Sequence, residues 1–321
     1  MSVILEIAGL TTRFTTPDGE VAAVSDVDLV LGEGETVGVV GESGSGKSQL
    51  FLSVLGLLAR NGQARGSARF RGQELIGLQG RELRRLRGRR LAMIFQDPMT
   101  ALNPHLTVGR QLTEVLAVHH GLGASEARAR AIAMLERVRI PDASRRLGTY
   151  PHELSGGMRQ RVMIAMALLG EPDVLIADEP TTALDVTVQA QILDVLREVK
   201  AEFGVATVLI THDLGVVAGL CDRVVVMYAG RIVEEGQVDL LFSAPAHPYT
   251  RALLGALPRV DTDGSGELVA IPGQPPNLQR AIRGCAFAPR CPVAEGRCGA
   301  ERPPFAALGP GRAAACFKAG P

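Results

Sequence analysis

Short apolar runs separated by longer amphipathic stretches set the frame of this chain. Residues 174–177 and 206–210 are continuously apolar, the pattern of strands buried on both faces of a parallel sheet. Residues 36–40 and 92–95 read as further short strands, and residues 3–7 alternate weakly, as a half-exposed strand does. Residues 28–31 join 36–40 through the turn Gly32-Glu33-Gly34. Residues 224–228 and 231–235 form a hairpin about Ala229-Gly230. Helical patterning predicts helices over residues 47–58, 108–117, 125–138, 156–169 and 187–203. Ser125 is the expected cap of the third, and Gly170 and Pro172 stop the fourth. Residues 141–153 read as irregular. Strands alternating with helices predict an α/β fold with a mainly parallel sheet. Beyond Pro258 the composition shifts to Gly, Pro and Ala, which places a boundary there, with domains over 1–258 and 259–321.

Composition narrows the class. The chain has 321 residues, room for one large domain with an appendage or for two domains. Its 34 Lys+Arg balance 34 Asp+Glu, which argues against a wholesale nucleic-acid binder. No apolar run approaches a bilayer span, and the start has no basic head of a secretory signal. The expectation is a soluble, cytoplasmic chain unless partners hold it at a membrane. The neutral total hides blocks. Residues 14–46 carry seven acids and no Lys or Arg, whereas residues 60–90 carry ten arginines against Glu74 and Glu82. A run of one charge reads first as a solvated face, with acidic headgroups or an acidic partner as the alternative.

Chemistry enters at Gly41-Glu42-Ser43-Gly44-Ser45-Gly46-Lys47-Ser48, which fits G-x-x-x-x-G-K-S/T between an expected strand and an expected helix. Its glycines let successive backbone N–H groups ring phosphate oxygens, and the helix start adds a positive dipole end. Lys47 reaches the terminal phosphates and Ser48 offers a hydroxyl to Mg²⁺. The apolar run 174–177 ends in Asp178 and Glu179, at the strand end where open α/β sheets place ligands. Asp178 is the candidate metal-side carboxylate, and Glu179 the candidate for polarising an attacking water.

With these residues in view, the chain resembles the ATP-binding subunit of an ABC transporter. Leu154-Ser155-Gly156-Gly157-Met158 resembles the signature motif, with Met where Gln is commoner. Gln96 resembles the Q-loop glutamine, Ala183-Leu184-Asp185 the D-loop, His212 the switch histidine, and Phe14 the aromatic that stacks on adenine. The resemblance implies a P-loop NTPase (RecA-like) core with an antiparallel β portion. It also implies a helical subdomain over about 100–160 that docks membrane subunits. It assigns ATP and Mg²⁺ as cofactors. Phe14 and the run from Gly41 to Gln49 would hold the nucleotide; Ser48, Gln96 and Asp178 would attend Mg²⁺; Glu179, Gln96 and His212 would serve hydrolysis. Ser155, Gly156 and Gly157 would face the ATP of a partner subunit, with Asp185 beside that head-to-tail interface.

The likeness extends to the peptide permeases. Ile94-Phe95-Gln96-Asp97-Pro98-Met99-Thr100-Ala101-Leu102-Asn103-Pro104, Ala246-His247-Pro248-Tyr249-Thr250 and the tail from Ile271 to Cys316 resemble dipeptide/oligopeptide permease ATPases. This implies peripheral attachment to the cytoplasmic face of the inner membrane. It also implies two transmembrane permease subunits, a second ATPase of a different paralogue and an extracytoplasmic solute-binding protein. Di- and oligopeptides are the implied cargo, nickel or another small solute the alternative, and a soluble non-transport ATPase a further one. Cys285, Cys291, Cys298 and Cys316 are spaced C-x5-C-x6-C-x17-C, which lacks the close Cys pairs of zinc knuckles. Disulfides do not suit a cytosolic chain. The family resemblance implies a 4Fe–4S cluster, with Zn the alternative. Six arginines among residues 280–316 would offset its negative charge. Cys221 reads as a buried small hydrophobe.

Overall fold

The computed structural model describes residues 2–78, 80–182, 184–256 and 271–319. The expected boundary at Pro258 lies outside the described residues. The chain forms two compact units: one mainly Leu78–Ile210, the other mainly Leu5–Leu31, Thr36–Gly77 and the chain after Thr211.

Twelve strands are present among the described residues: β1 (Val3–Thr16), β2 (Gly19–Gly32), β3 (Thr36–Val40), β4 (Gly62–Phe70), β5 (Gln73–Glu74), β6 (Leu91–Ile94), β7 (Val174–Asp178), β8 (Ala206–Ile210), β9 (Arg223–Tyr228), β10 (Arg231–Gln237), β11 (Ala306–Gly309) and β12 (Arg312–Ala314). In the first unit β6, β7 and β8 pair in parallel, Ile94 opposite Ala177 and Asp178 opposite Ile210. Every residue of β7 and β8 is buried, as their unbroken apolar runs require. The helical portion consists of Pro98–Ala101, Val108–His120, Ala124–Arg137, Ala143–Arg146 and Gly156–Leu168. Buried Gln111 organises the loop before it, accepting from the Asn103 N–H at 2.9 Å and donating to the Asn103 and Leu106 carbonyls at 3.0 Å.

The second unit holds two sheets. One runs β2-β1-β4-β5, and β1 is antiparallel to β4. In the other, β3 lies parallel to β9, and β9, β10, β12 and β11 follow antiparallel. The core here gathers Val40, Val217, Val224, Val226, Leu241, Tyr228, Tyr249 and Phe287. Tyr228, Tyr249 and Phe287 form an aromatic triad with centroids 4.5 to 5.4 Å apart. Cys221 packs half-buried against this core, so its expected full burial is only partly met.

Several boundaries differ from the reading of the sequence. β1 and β2 are each 14 residues long, far beyond the expected 3–7 and 28–31. Their Thr, Gly and charged positions blur the alternation, and pairing rather than propensity holds them extended. Ala124 opens its helix behind Gly123, which leaves Ser125 inside the first turn rather than at the cap. The stretch 141–153 contains the short helix Ala143–Arg146 and a 3-10 turn, Pro151–Glu153. Neither is long enough to show a period. Nine of the ten arginines of residues 60–90 are exposed, four on or beside β4 and five on or beside the helix Arg81–Leu86, and Arg87 is half-buried.

His247 shows how this core meets acid. It is 1 % exposed. Its N–H donates to the Glu234 carboxylate at 2.8 Å, and its Nδ1 accepts from the Tyr249 N–H at 3.1 Å. Burial, aided by the Arg251 charge, lowers its pKa to about 4. In the unfolded chain an imidazole takes its proton near pH 6.5. Below that pH the unfolded state therefore binds a proton that the folded state refuses, and stability falls until about pH 4. The loss from this residue is about 3 kcal/mol in total. His247→Asn keeps an acceptor for the Tyr249 N–H and removes the titration. Urea unfolding from pH 7 to 4.5 should show a shallower decline in that variant, and an equal decline would rule out His247 as the cause.

Candidate functional site

The phosphate loop lies in the second unit, between β3 and the helix Lys47–Val54. Its glycines are sterically required. Gly41 and Gly46 have φ of 152° and 97°, and a Cβ on either would sit 2.2 Å from a backbone carbonyl, Met227 O or Ala23 O. The loop therefore closes only because these positions lack side chains. Lys47 is 6 % exposed. Its Nζ donates to the Gly41 carbonyl at 2.7 Å and the Glu42 carbonyl at 3.0 Å, so the ammonium is already folded over the loop. The Ser45 hydroxyl is buried and makes no hydrogen bond to the described residues. Ser43 and Gly44 are exposed, and Ser48 and Gln49 are half-buried on the helix's first turn.

Two other expected residues belong to this unit. Phe14 is half-buried on β1, opposite Gly62 of β4. A Cβ on Gly62 would come within 2.6 Å of its ring, so glycine makes room for the aromatic. His212 is exposed directly after Thr211, whose N–H donates to the Val39 carbonyl of β3 at 3.2 Å. Asp213 then caps the helix Leu214–Leu220.

The first unit places the acids. Asp178 ends β7 at 6 % exposure. Glu179 follows with φ 46°, a left-handed conformation costly for a residue with a Cβ. The turn aims its carboxylate at two donors: Gln96 Nε2 at 3.0 Å and Thr182 Oγ1 at 2.8 Å, both on Oε2. Thus Gln96 and Glu179, distant in sequence, share a hydrogen bond. Thr182 was not legible as a partner of Glu179, because a lone threonine after a strand carries no motif.

The helix Gly156–Leu168 begins at exposed Ser155, whose hydroxyl accepts from the Met158 N–H at 3.3 Å. A Cβ on Gly157 would lie 2.5 Å from Val188 Cγ1, so that glycine lets this helix approach Val186–Phe203. Asp185 caps the latter helix, accepting from the Val188 N–H at 2.9 Å. Ala183 lies outside the described residues.

The cysteine segment belongs to the second unit. Cys285, Cys291, Cys298 and Cys316 line one cleft with Phe287, Val293 and Phe317. All four are free and half-buried. Burial, and then the neighbouring sulfurs, pushes the thiols of Cys285 and Cys291 up. Among the described residues no three donors converge closely enough to hold a single metal ion. Three of the six arginines of residues 280–316 are in ion pairs. Arg290 pairs with Glu42, Arg297 with Glu295 and Arg312 with Glu234. Tyr249 and Arg290 are contributors that the sequence did not assign: the Tyr249 hydroxyl accepts from the Glu42 N–H at 2.7 Å.

A family described as "ABC transporter" matches residues 24–182, and one described as "Oligopeptide/dipeptide transporter, C-terminal region" matches residues 233–298. The chain is 56% identical over 317 residues to the oligopeptide transport ATP-binding protein OppD of Salmonella typhimurium, covering 99% of this chain and 94% of that protein. It is 55% identical to the protein of that name from Escherichia coli over 98% of this chain and 93% of the other. Among solved structures it resembles the dimeric post-hydrolysis ATP-binding cassette MJ0796 bound to ADP and Pi. There the TM-score is 0.66 at 28% identity, covering 73% of this chain and 98% of that one. CbiO1 from Clostridium perfringens, part of an ABC transporter complex, gives a TM-score of 0.63 at 30% identity, covering 76% and 92%.

Proposed function

We propose a function for a chain that belongs to the ABC transporter family: it is the ATP-hydrolysing subunit of an importer that powers uptake of di- and oligopeptides. The observation that carries this reading is the likeness to peptide-transport ATP-binding proteins over nearly the whole length. A loop built for phosphate and an acid–glutamine pair at a strand end support it. Among the described residues no helix is long and apolar enough to cross a membrane. The same likeness supports peripheral attachment at the cytoplasmic face of the inner membrane through two permease subunits, beside a second ATPase of a different paralogue and with an extracytoplasmic solute-binding protein.

The residues take these parts. Gly41 to Ser48 ring the phosphates, with Lys47 on the terminal ones and Gln49 on the same helix turn; Phe14 stacks on adenine. Asp178, Ser48 and Gln96 are the oxygen donors suited to Mg²⁺, a hard cation, which neutralises phosphate charge when bound. Glu179 polarises the attacking water, and His212 contacts the γ-phosphate. Ser155, Gly156 and Gly157 present a helix start to the ATP of a partner subunit, with Asp185 beside it. The domains divide at about 258, with the helical subdomain over about 100–160. In vesicles holding the permease partners, ATP turnover should rise when the binding protein carries a short peptide. Stimulation by a small non-peptide solute alone would overturn the peptide reading.

The finer proposal for the tail is a 4Fe–4S cluster on Cys285, Cys291, Cys298 and Cys316. Four thiols on one cleft fit four thiolate ligands, and their spacing lacks the close Cys pairs of zinc knuckles. Bound metal would supply the order that a short Gly- and Pro-rich segment cannot gain from its own core. Protein isolated without oxygen should be brown and hold iron and sulfide, with the colour lost in Cys291→Ser. Colourless protein with stoichiometric zinc would overturn it.

A further inference from the structure

Glu42 is an acid inside a loop built for anions. An uncompensated carboxylate one residue after Gly41 would repel phosphate in a partly dry site. The structure removes that conflict from behind. Arg290 grips the carboxylate with both ends of its guanidinium, Nη1 on Oε2 at 2.7 Å and Nη2 on Oε1 at 2.9 Å. The Arg290 side chain is 4% exposed and that of Glu42 24%. Glu42's N–H donates to the Tyr249 hydroxyl and its carbonyl accepts from Lys47, so every polar group of this residue is held.

Arg290 is itself fixed. Its Nε donates to the Pro272 carbonyl at 2.9 Å, its Nη2 to the Ile271 carbonyl at 3.3 Å and its Nη1 to the Tyr228 hydroxyl at 3.2 Å. Its guanidinium carbon lies 5.9 Å from the ring centroids of both Tyr228 and Phe287. It ends the 3-10 turn Ala288–Arg290, directly before Cys291 of the thiol cleft. A buried arginine this constrained is a positioning device rather than a surface charge.

We propose that Arg290 is a positioning residue for nucleotide binding: it neutralises Glu42 and holds the phosphate loop open to ATP. The cysteine segment is thereby a working part of the phosphate site. This rests on the reading of Gly41 to Ser48 as the ATP phosphate site. The pair is bidentate and largely dry, so lysine does not replace it, whereas removing both charges together relieves the conflict.

The test uses the full-length chain and four variants: Arg290→Gln, Arg290→Lys, Glu42→Gln, and Arg290→Gln with Glu42→Gln. ATP affinity is read by displacement of a fluorescent ATP analogue, beside KM, kcat, Tm and amide exchange over residues 41–48. Arg290→Gln should weaken ATP binding and raise KM about tenfold or more, with kcat within about twofold, because the phosphate loop then carries an uncompensated carboxylate. The double variant should return to within about threefold of wild type. A purely structural contact would lower Tm in both without that split. Wild-type affinity in Arg290→Gln, or an equal loss in the double variant, overturns the proposal. Should Arg290→Gln fail to fold, Arg290→Lys decides: faster exchange in the loop with weakened ATP binding supports it, and wild-type values on both overturn it. Lys47→Ala in the same assay separates the readings. Normal affinity there rejects the phosphate site itself, whereas a loss there beside an inert Arg290→Gln rejects only the role of Arg290.

Discussion

A Glu179→Gln chain is expected to bind ATP as tightly as wild type and to hydrolyse it about a thousandfold more slowly, within the range for removal of a general base. The geometry gives the reason. β7 is buried throughout and ends at Asp178, so the next residue emerges at a fixed place. The left-handed turn at Glu179, φ 46°, then directs its carboxylate to Gln96 Nε2 and Thr182 Oγ1. Glutamine has the same size and keeps an oxygen for those donors, so the turn and binding should survive. It cannot take or share a proton, so the chemical step should fail. Single-turnover hydrolysis set against equilibrium ATP binding separates the two. Unchanged turnover would remove Glu179 from the role, and a matching loss of affinity would mean that the substitution had broken the site.

Lys47→Ala should weaken ATP binding by about two orders of magnitude, since each charge-assisted hydrogen bond to phosphate contributes roughly 1.5–3 kcal/mol. The Lys47 ammonium already donates to the Gly41 and Glu42 carbonyls, so it is poised in the loop before phosphate arrives. Alanine removes the charge and both internal ties. Little folding stability should be lost, because the loop's shape rests on Gly41 and Gly46 packing against Met227 and Ala23. Calorimetric titration with Mg-ATP gives the affinity and thermal unfolding gives the control. Full affinity in the alanine chain would remove the phosphate-loop assignment.

The candidate site residues of both units were legible because their patterns are written locally. Glycines at fixed spacing, a lysine one step beyond and two acids at the end of an apolar run are neighbours in the chain. The physics that selects them, a positive φ or a strand end, acts over a few residues. Buried strands were legible for the same reason: β3, β7 and β8 are buried along their whole length, and their apolar runs say so. The long strands β1 and β2 were read short, because their residue types are ambiguous and only pairing holds them extended.

Contacts between distant residues were not written anywhere in the single sequence. Gln96 and Glu179 were both singled out, yet nothing in their local patterns joins residues 83 apart. Glu42 and Arg290 are 248 apart, and Arg290 read as one of several charges balancing a metal group. The parallel pairing of β6 with β7 brings the first pair together, and the folding of the tail onto the Tyr228–Tyr249–Phe287 core brings the second. The sequence by itself carried the family resemblance and marked the candidate phosphate loop, the candidate acids and the four cysteines, since each is a short-range pattern of shape and charge. Tertiary structure alone decided what holds them: which donors fix Glu179, and that the cysteine segment reaches the phosphate loop through one buried arginine. A hydrogen bond between distant residues exists only once the intervening chain has packed.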